Sequence, residues 1–310
     1  MKIGFITPNY PFERRVAILP KQVIESPNEI IIEKGFGGTM DIDDQEYIEA
    51  GAKILSRSEI FAQCEIIFSL KLIQPSDYDS IREGQIIVGW THPTGSGKEF
   101  MENQAIPKKL VMIDLDNIYP SVYYGGKAYR IPFIQPNFVR KNSVTAGKAA
   151  VLHALLSYGK LPTSETNVAI LSAGNVSQGA FETISKFNVN VRMFYRKTMQ
   201  DFYDTIDQYD IIINGIEVDN QATHIISKEQ LHQVRKGCFI IDAAADAGNA
   251  IEGTYYATMG EPIYKLANAT IYCVNNAPSV LYRTASKDIS EAFAEIFYNK
   301  EIQPFLDLIK

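Results

Sequence analysis

Cysteine is scarce. Cys64, Cys238 and Cys273 are the only three in 310 residues, with no CxxC spacing and no paired His/Cys cluster. That pattern excludes a disulfide framework and a zinc site, and the three are read as small buried hydrophobes. No run of about 18 apolar residues occurs, so no membrane-spanning helix and no membrane partner are expected. Basic residues are in deficit, 30 Lys and Arg against 36 Asp and Glu, a formal net charge of -6. Generic nucleic-acid affinity rests on basic side chains displacing phosphate counterions, so nucleic acid is excluded as a partner. The opening Met1-Lys2-Ile3-Gly4-Phe5-Ile6 runs straight into a strand pattern with no cleavable leader, and a cytoplasmic location is expected. Internal repeats and low-complexity tracts are also missing.

What is present is a globular composition, 46% hydrophobic and 21% charged, in a chain of a length that suits two compact domains. Short apolar runs at Lys2–Ile6, Glu29–Glu33, Glu65–Leu70, Gln85–Trp90 and Leu110–Ile113 alternate with amphipathic or polar segments, which predicts βαβ units around a parallel sheet. Apolar residues at helical spacing from Ser143 to Tyr158, ended by Gly159 and Pro162, predict a long connecting helix. The alternation restarts at Asn167–Leu171, Asn190–Tyr195, Asp210–Asn214 and Cys238–Ile241, in the order of a nucleotide-binding domain. The tail reads as helix and is too short for a domain of its own. The expected fold is therefore α/β, with two Rossmann-like doubly wound domains. Residues 1–139, completed by helices within 284–310, form a discontinuous substrate domain, and residues 140–283 form an NADP-binding domain.

The sharpest local signal is Val168-Ala169-Ile170-Leu171-Ser172-Ala173-Gly174-Asn175-Val176-Ser177, an apolar strand that turns on small residues into a helix. Backbone N–H groups there can hold a pyrophosphate, although only Gly174 of the usual three glycines is in register. A purely structural strand-turn-helix fits the same pattern. About twenty residues further on, where NAD-specific domains place an acid, stand Arg196-Lys197-Thr198, a donor set suited to a 2′-phosphate. NADP is thus expected over NAD; the alternative for Arg196 and Lys197 is a solvated loop pair.

Three features of the first half could converge on one carbonyl substrate. Arg14 and Arg15 follow the first strand, where a guanidinium can clamp a carboxylate. Lys71 and His92 sit at the C-terminal ends of apolar strands, where ligands bind in such folds. An ammonium can polarise an oxo group while an imidazole shuttles protons. Each has a plain alternative: Lys71 as a surface charge, His92 as a satisfied histidine before a turn, and either arginine as an ion-pair partner. Gly95-Ser96-Gly97-Lys98 and Gly35-Phe36-Gly37-Gly38 are read as turns, since neither completes a phosphate loop.

Taken in order, Arg15-Val16-Ala17 with Pro20, Lys71 before Pro75, His92, the turn at 172–177, and Val274-Asn275-Asn276-Ala277-Pro278 followed by Arg283-Thr284 resemble the alanine dehydrogenase and saccharopine dehydrogenase superfamily over nearly the whole chain. The stretches 82–93, 175–181 and 192–198 are most similar to its carboxyethylornithine synthase branch. The resemblance implies Arg15 as carboxylate binder, Lys71 and His92 as catalytic residues, and Asp246 beside the nicotinamide. Asn276 joins Ser172, Gly174, Asn175, Val176, Ser177, Arg196, Lys197 and Thr198 as coenzyme contacts. It further implies NADPH-dependent condensation of pyruvate with the side-chain amine of L-ornithine, or of L-lysine, and a homo-oligomer. An acidic group must face the amino acid's ammonium; Asp114, Asp116 and Asp246 are candidates, and Asp116 is the substrate-binding choice. The rivals are an alanine dehydrogenase using free ammonia, a saccharopine-type enzyme using 2-oxoglutarate with Arg14 as the extra basic group, and a non-catalytic NADP-binding regulator. The chain departs from the pattern in its short C-terminal region and in Ser172, which replaces the first loop glycine.

Overall fold

The computed structural model describes residues 1–116, 118–218 and 223–310. The chain divides into two compact units, Met1–Val139 with Tyr282–Lys310, and Arg140–Leu281.

The first unit is built on β1 (Lys2–Ile6), β2 (Glu29–Glu33), β3 (Lys53–Leu55), β4 (Ile66–Ser69), β5 (Ile86–Gly89), β6 (Val111–Asp114), β7 (Ser121–Tyr124) and β8 (Lys127–Arg130). They form one sheet in the order β3-β2-β1-β4-β5-β6-β7-β8, parallel through β6 and antiparallel at the β7 and β8 edge. Residues 66–69, 86–89 and 111–114 are buried throughout, as strands covered on both faces must be. Strand order reverses between β1 and β4, the position at which ligands enter doubly wound sheets. Gly89, at the end of β5, has φ +145°, and a Cβ there would lie 1.8 Å from the Ser69 carbonyl oxygen. Glycine therefore lets the exits of β4 and β5 approach closely.

The helix Tyr282–Phe293 and the residues after it complete this unit. Phe293, Phe297 and Tyr298 are fully buried, with Phe293 packing edge-on against Phe68 at 5.2 Å and Tyr298 against Phe5 at 5.0 Å. The same segment fastens the loop after β1. Val16 N–H donates to the Ser286 hydroxyl and Leu19 N–H to that of Ser290, each at 2.9 Å, and the Tyr298 hydroxyl donates to the Ala17 carbonyl at 2.6 Å.

The second unit contains the helix Arg140–Tyr158 and β9 (Asn167–Leu171), β10 (Asn190–Phe194), β11 (Ile211–Asn214), β12 (Cys238–Asp242), β13 (Ile263–Leu266) and β14 (Ala269–Tyr272). The sheet order is β10-β9-β11-β12-β14-β13, parallel except for β13. Order reverses between β9 and β11. The helix Arg140–Tyr158 crosses the helix Asn175–Ile184 where Gly147 and Gly179 meet backbone, since a Cβ on either would lie 1.9 Å from a carbonyl of the other helix. Both units thus have the doubly wound α/β architecture the sequence implies. No helix among the described residues is long and apolar enough to cross a membrane.

Candidate active site

In the first unit, the segments leaving β1, β4, β5 and β6 bring Arg15, Lys71, His92 and Asp116 together. Trp90 is their platform. The Arg15 guanidinium carbon lies 4.9 Å and the Lys71 ammonium 5.4 Å from the indole centre, and the ammonium is also 5.3 Å from the Tyr10 ring. Trp90 is buried, and its indole N–H meets no acceptor among the described residues.

Arg15 is gripped by Glu13. Its Nε donates to Oε1 at 2.8 Å and its Nη2 to Oε2 at 2.7 Å, while the Arg15 backbone N–H also donates to Oε1. Burial would raise the Glu13 carboxyl, but the charge and hydrogen bonds of Arg15 hold it at about 2. Arg15 is therefore a fixed cation with a permanent counterion. Lys71 has no such partner among the hydrogen bonds of the site. Burial, followed by the nearby Arg15 charge, brings its ammonium down to about 8.

His92 has φ +44°, a left-handed conformation uncommon outside glycine. Its carbonyl accepts from the N–H groups of Gly95 and Gly97 at 3.0 and 2.9 Å, which anchors the turn. The preceding Thr91 donates from both backbone and hydroxyl to fully buried Asp114, at 2.9 and 3.0 Å. His92 Nδ1 lies 2.8 Å from Asp116 Oδ2. Burial disfavours the imidazolium, but Asp116 outweighs it and raises the His92 pKa, while His92 and then Lys71 lower that of Asp116 against its own burial. With Nδ1 committed, Nε2 is the nitrogen left to exchange protons with a substrate. Asp116, expected as a substrate contact, holds one carboxylate oxygen against His92. Arg14 is exposed and stacks over Tyr282 at 3.8 Å.

In the second unit, Ser172 follows β9 with φ +87°, so a serine occupies the glycine conformation of the usual fingerprint. Its hydroxyl accepts from the Gly174 N–H at 2.9 Å, which stabilises the turn. Gly174 caps the helix Asn175–Ile184, whose first N–H groups, those of Asn175, Val176 and Ser177, have no carbonyl within the helix. Ser177 is buried and donates to the Leu171 carbonyl at 2.9 Å, tying helix to strand. After β10, Arg196 and Lys197 are exposed and carry no ion pair among the described residues. Thr198 is used locally, its hydroxyl accepting from Tyr195 N–H at 2.9 Å. The N–H groups at this helix start can hold a dinucleotide's pyrophosphate, and two cations stand at the neighbouring strand exit.

Asp246 also lies in the second unit. One of its oxygens accepts from Val218 N–H and the other from the Asn249 amide, both at 2.7 Å, and its own N–H donates to Asp242. Burial pushes the Asp242 carboxyl up to about 6. Asn276 is buried just before the turn Ala277–Leu281. Among the described residues no three metal-binding side chains gather.

Glu13 and Trp90 are the members of the site that residue-by-residue reading passed over. Glu13 stands in the same Glu-Arg-Arg triplet as Arg15, and Trp90 is the chain's one tryptophan, two residues before His92.

The chain is similar to known proteins along nearly its whole length. Residues 8–121 match the alanine dehydrogenase/PNT N-terminal domain, and residues 163–304 match the C-terminal domain of the same family. A Clostridium botulinum protein named N(5)-(carboxyethyl)ornithine synthase is 57% identical, over 100% of this chain and 98% of its own. A Lactococcus lactis protein of the same name is 51% identical over 99% of each. A solved L-alanine dehydrogenase superposes with a TM-score of 0.81 at 19% identity, over 98% of this chain and 91% of that one, a likeness of fold.

Proposed function

The chain belongs to the alanine dehydrogenase/PNT family, and from that premise we propose that it is an NADPH-dependent oxidoreductase that condenses pyruvate with the side-chain amine of L-ornithine, and of L-lysine, and reduces the resulting imine to a carboxyethyl amino acid. The observation that carries this reading is the joining of a fixed guanidinium, a depressed ammonium and an imidazole–carboxylate pair at one sheet exit, in a chain similar end to end to proteins named for that product.

Arg15, immobilised by Glu13, binds the carboxylate of the oxo acid. The Lys71 ammonium donates to the oxo oxygen and draws charge from the carbon that the neutral amine attacks. His92, its Nδ1 held by Asp116, delivers a proton from Nε2 to the carbinolamine hydroxyl, which leaves as water and yields the imine. The coenzyme, when bound, supplies the hydride that reduces this imine. Ser172, Gly174 and the N–H groups of Asn175, Val176 and Ser177 hold its pyrophosphate, and Arg196 with Lys197 receives the 2′-phosphate. Asn276 and Asp246 are the remaining coenzyme-side residues of this reading.

The test follows loss of reduced-coenzyme absorbance in purified protein given NADPH, pyruvate and L-ornithine, with L-lysine, ammonia, 2-oxoglutarate and NADH in parallel. Oxidation that needs both pyruvate and ornithine supports the reading. Oxidation with pyruvate and ammonia in place of ornithine makes the protein an amino-acid dehydrogenase, a requirement for 2-oxoglutarate makes it saccharopine-type, and tight NADPH binding without oxidation makes it a regulator.

A further inference from the structure

Arg57 opens the helix Arg57–Gln63, behind the capping residue Ser56, and belongs to none of the groups assigned to chemistry above. Its guanidinium nevertheless joins three strand exits. Nη1 donates to the Thr7 carbonyl, just after β1, and to Glu33 at the end of β2, both at 2.8 Å. Nε and Nη2 donate to the two carboxylate oxygens of Asp77 at 2.7 and 2.8 Å, in the turn that follows Lys71. Glu33 also accepts from Thr7 N–H at 2.6 Å, and the Asn9 amide donates to Asp77 at 3.3 Å. The side chains of Arg57, Glu33 and Asp77 are only 21%, 16% and 7% exposed, so this network works largely out of water.

We propose that Arg57 is a positioning residue for the reaction: by clamping the exit of β1 to the exit of β4, it sets where Lys71 stands relative to Tyr10, Trp90 and Arg15. The segment from Thr7 leads directly into Tyr10, Glu13 and Arg15, and Asp77 closes the segment that begins at Lys71. A forked, planar cation is needed because it must bind a carboxylate bidentately while reaching a carbonyl and a second carboxylate, which a lysine cannot do. The proposal rests on the reading that Arg15 and Lys71 together hold the oxo acid, where a displacement of about 1 Å costs on the order of a hundredfold in rate.

The test compares wild type, Arg57→Lys, Asp77→Asn and Lys71→Met. Steady-state kinetics are paired with a pH titration of fluorescence from Trp90, the single tryptophan, which reports the Lys71 charge 5.4 Å away. The groups facing Lys71 are Glu13, Arg15, Tyr10, His92 and Asp116, and the Lys71→Met titration identifies the inflection that belongs to Lys71. Arg57→Lys is expected to lose about tenfold in kcat/KM for the oxo acid with KM for NADPH unchanged. Its Lys71 inflection is expected to move upward by about half a pH unit as burial and the Arg15 contact loosen. A lower melting temperature with both readouts unmoved would show a merely structural role and overturn the proposal. If Arg57→Lys does not fold, Asp77→Asn, which keeps the shape and removes one charge, decides by the same readouts. If wild type does not turn over pyruvate with an amine, the functional reading fails, and the Trp90 titration still decides the role of Arg57.

Discussion

Arg15 and Lys71 hold their cationic ends over one indole, 4.9 and 5.4 Å from the centre of Trp90, yet only Arg15 has a bidentate carboxylate. Lys71 is therefore the group whose charge is easily lost.

The first prediction concerns that charge. Turnover that needs the Lys71 ammonium should decline as pH rises through about 8, and Lys71→Met should abolish that limb and lower kcat by roughly a hundredfold or more. The stability effect has the opposite sense. The folded pKa lies below the ordinary 10.5, so between the two values the unfolded chain binds the extra proton and folding gains as pH rises. Thermal melts of wild type and Lys71→Met across pH 8 to 10.5 check this; the variant should lack the rise.

Asp116→Asn should separate orientation from substrate binding. Without the carboxylate, burial and the Lys71 charge act on His92 against Asp114 alone, so the activity limb that reports the imidazole should move to lower pH, with kcat lower by roughly tenfold or more. If KM for the amine rose instead while the pH profile stayed in place, Asp116 would be a substrate contact.

Glu13→Gln preserves the shape beside Arg15 and removes the counterion. The wild-type carboxyl sits below its ordinary 4.5, at about 2, so its contribution to stability is fully present above 4.5 and vanishes as pH falls through about 2. That contribution is on the order of 3 kcal/mol for a side chain wholly out of solvent, and acid titrations monitored by circular dichroism should show the variant lacking it. The same variant should raise KM for the oxo acid by about tenfold, because Arg15 loses the partner that aims it.

Ser172 and Arg196 make separable predictions for the coenzyme. Ser172→Gly gives up one hydrogen bond and gains freedom at φ +87°, so NADPH affinity and stability should stay near wild type, whereas a β-branched Ser172→Val should lower both. Arg196→Ala should weaken NADPH by about tenfold and leave NADH almost untouched, measured by fluorescence titration of each reduced coenzyme.

The central strands were legible because each is a short apolar run with polar ends: Lys2–Ile6, Glu29–Glu33 and Asn167–Leu171 are strands over the residues so read. The long helix begins at Arg140, three residues before the apolar spacing does. The hairpin of β7 and β8, turning at Gly125 and Gly126, is half exposed at the sheet edge and carries no comparable apolar run. Lys71 and His92 could be picked out because they stand just past the apolar runs that form β4 and β5. The Glu13–Arg15 pair could not, because it depends on a loop that reverses at Phe12, with φ +60°, and no periodicity marks such a turn. Asp116 carries the same limitation: its partner was settled by where β5 and β6 end side by side, not by spacing along the chain.

The discontinuity of the first unit bears on how the protein is made. Residues 140–281 form one uninterrupted stretch of chain, and while it is being synthesised the strands made before it still lack Phe293, Phe297 and Tyr298 for their core. The loop bearing Arg15 must likewise wait for Ser286 and Ser290. The unit whose synthesis begins first is therefore the one completed last, because its final residues are made only after the whole of the other unit.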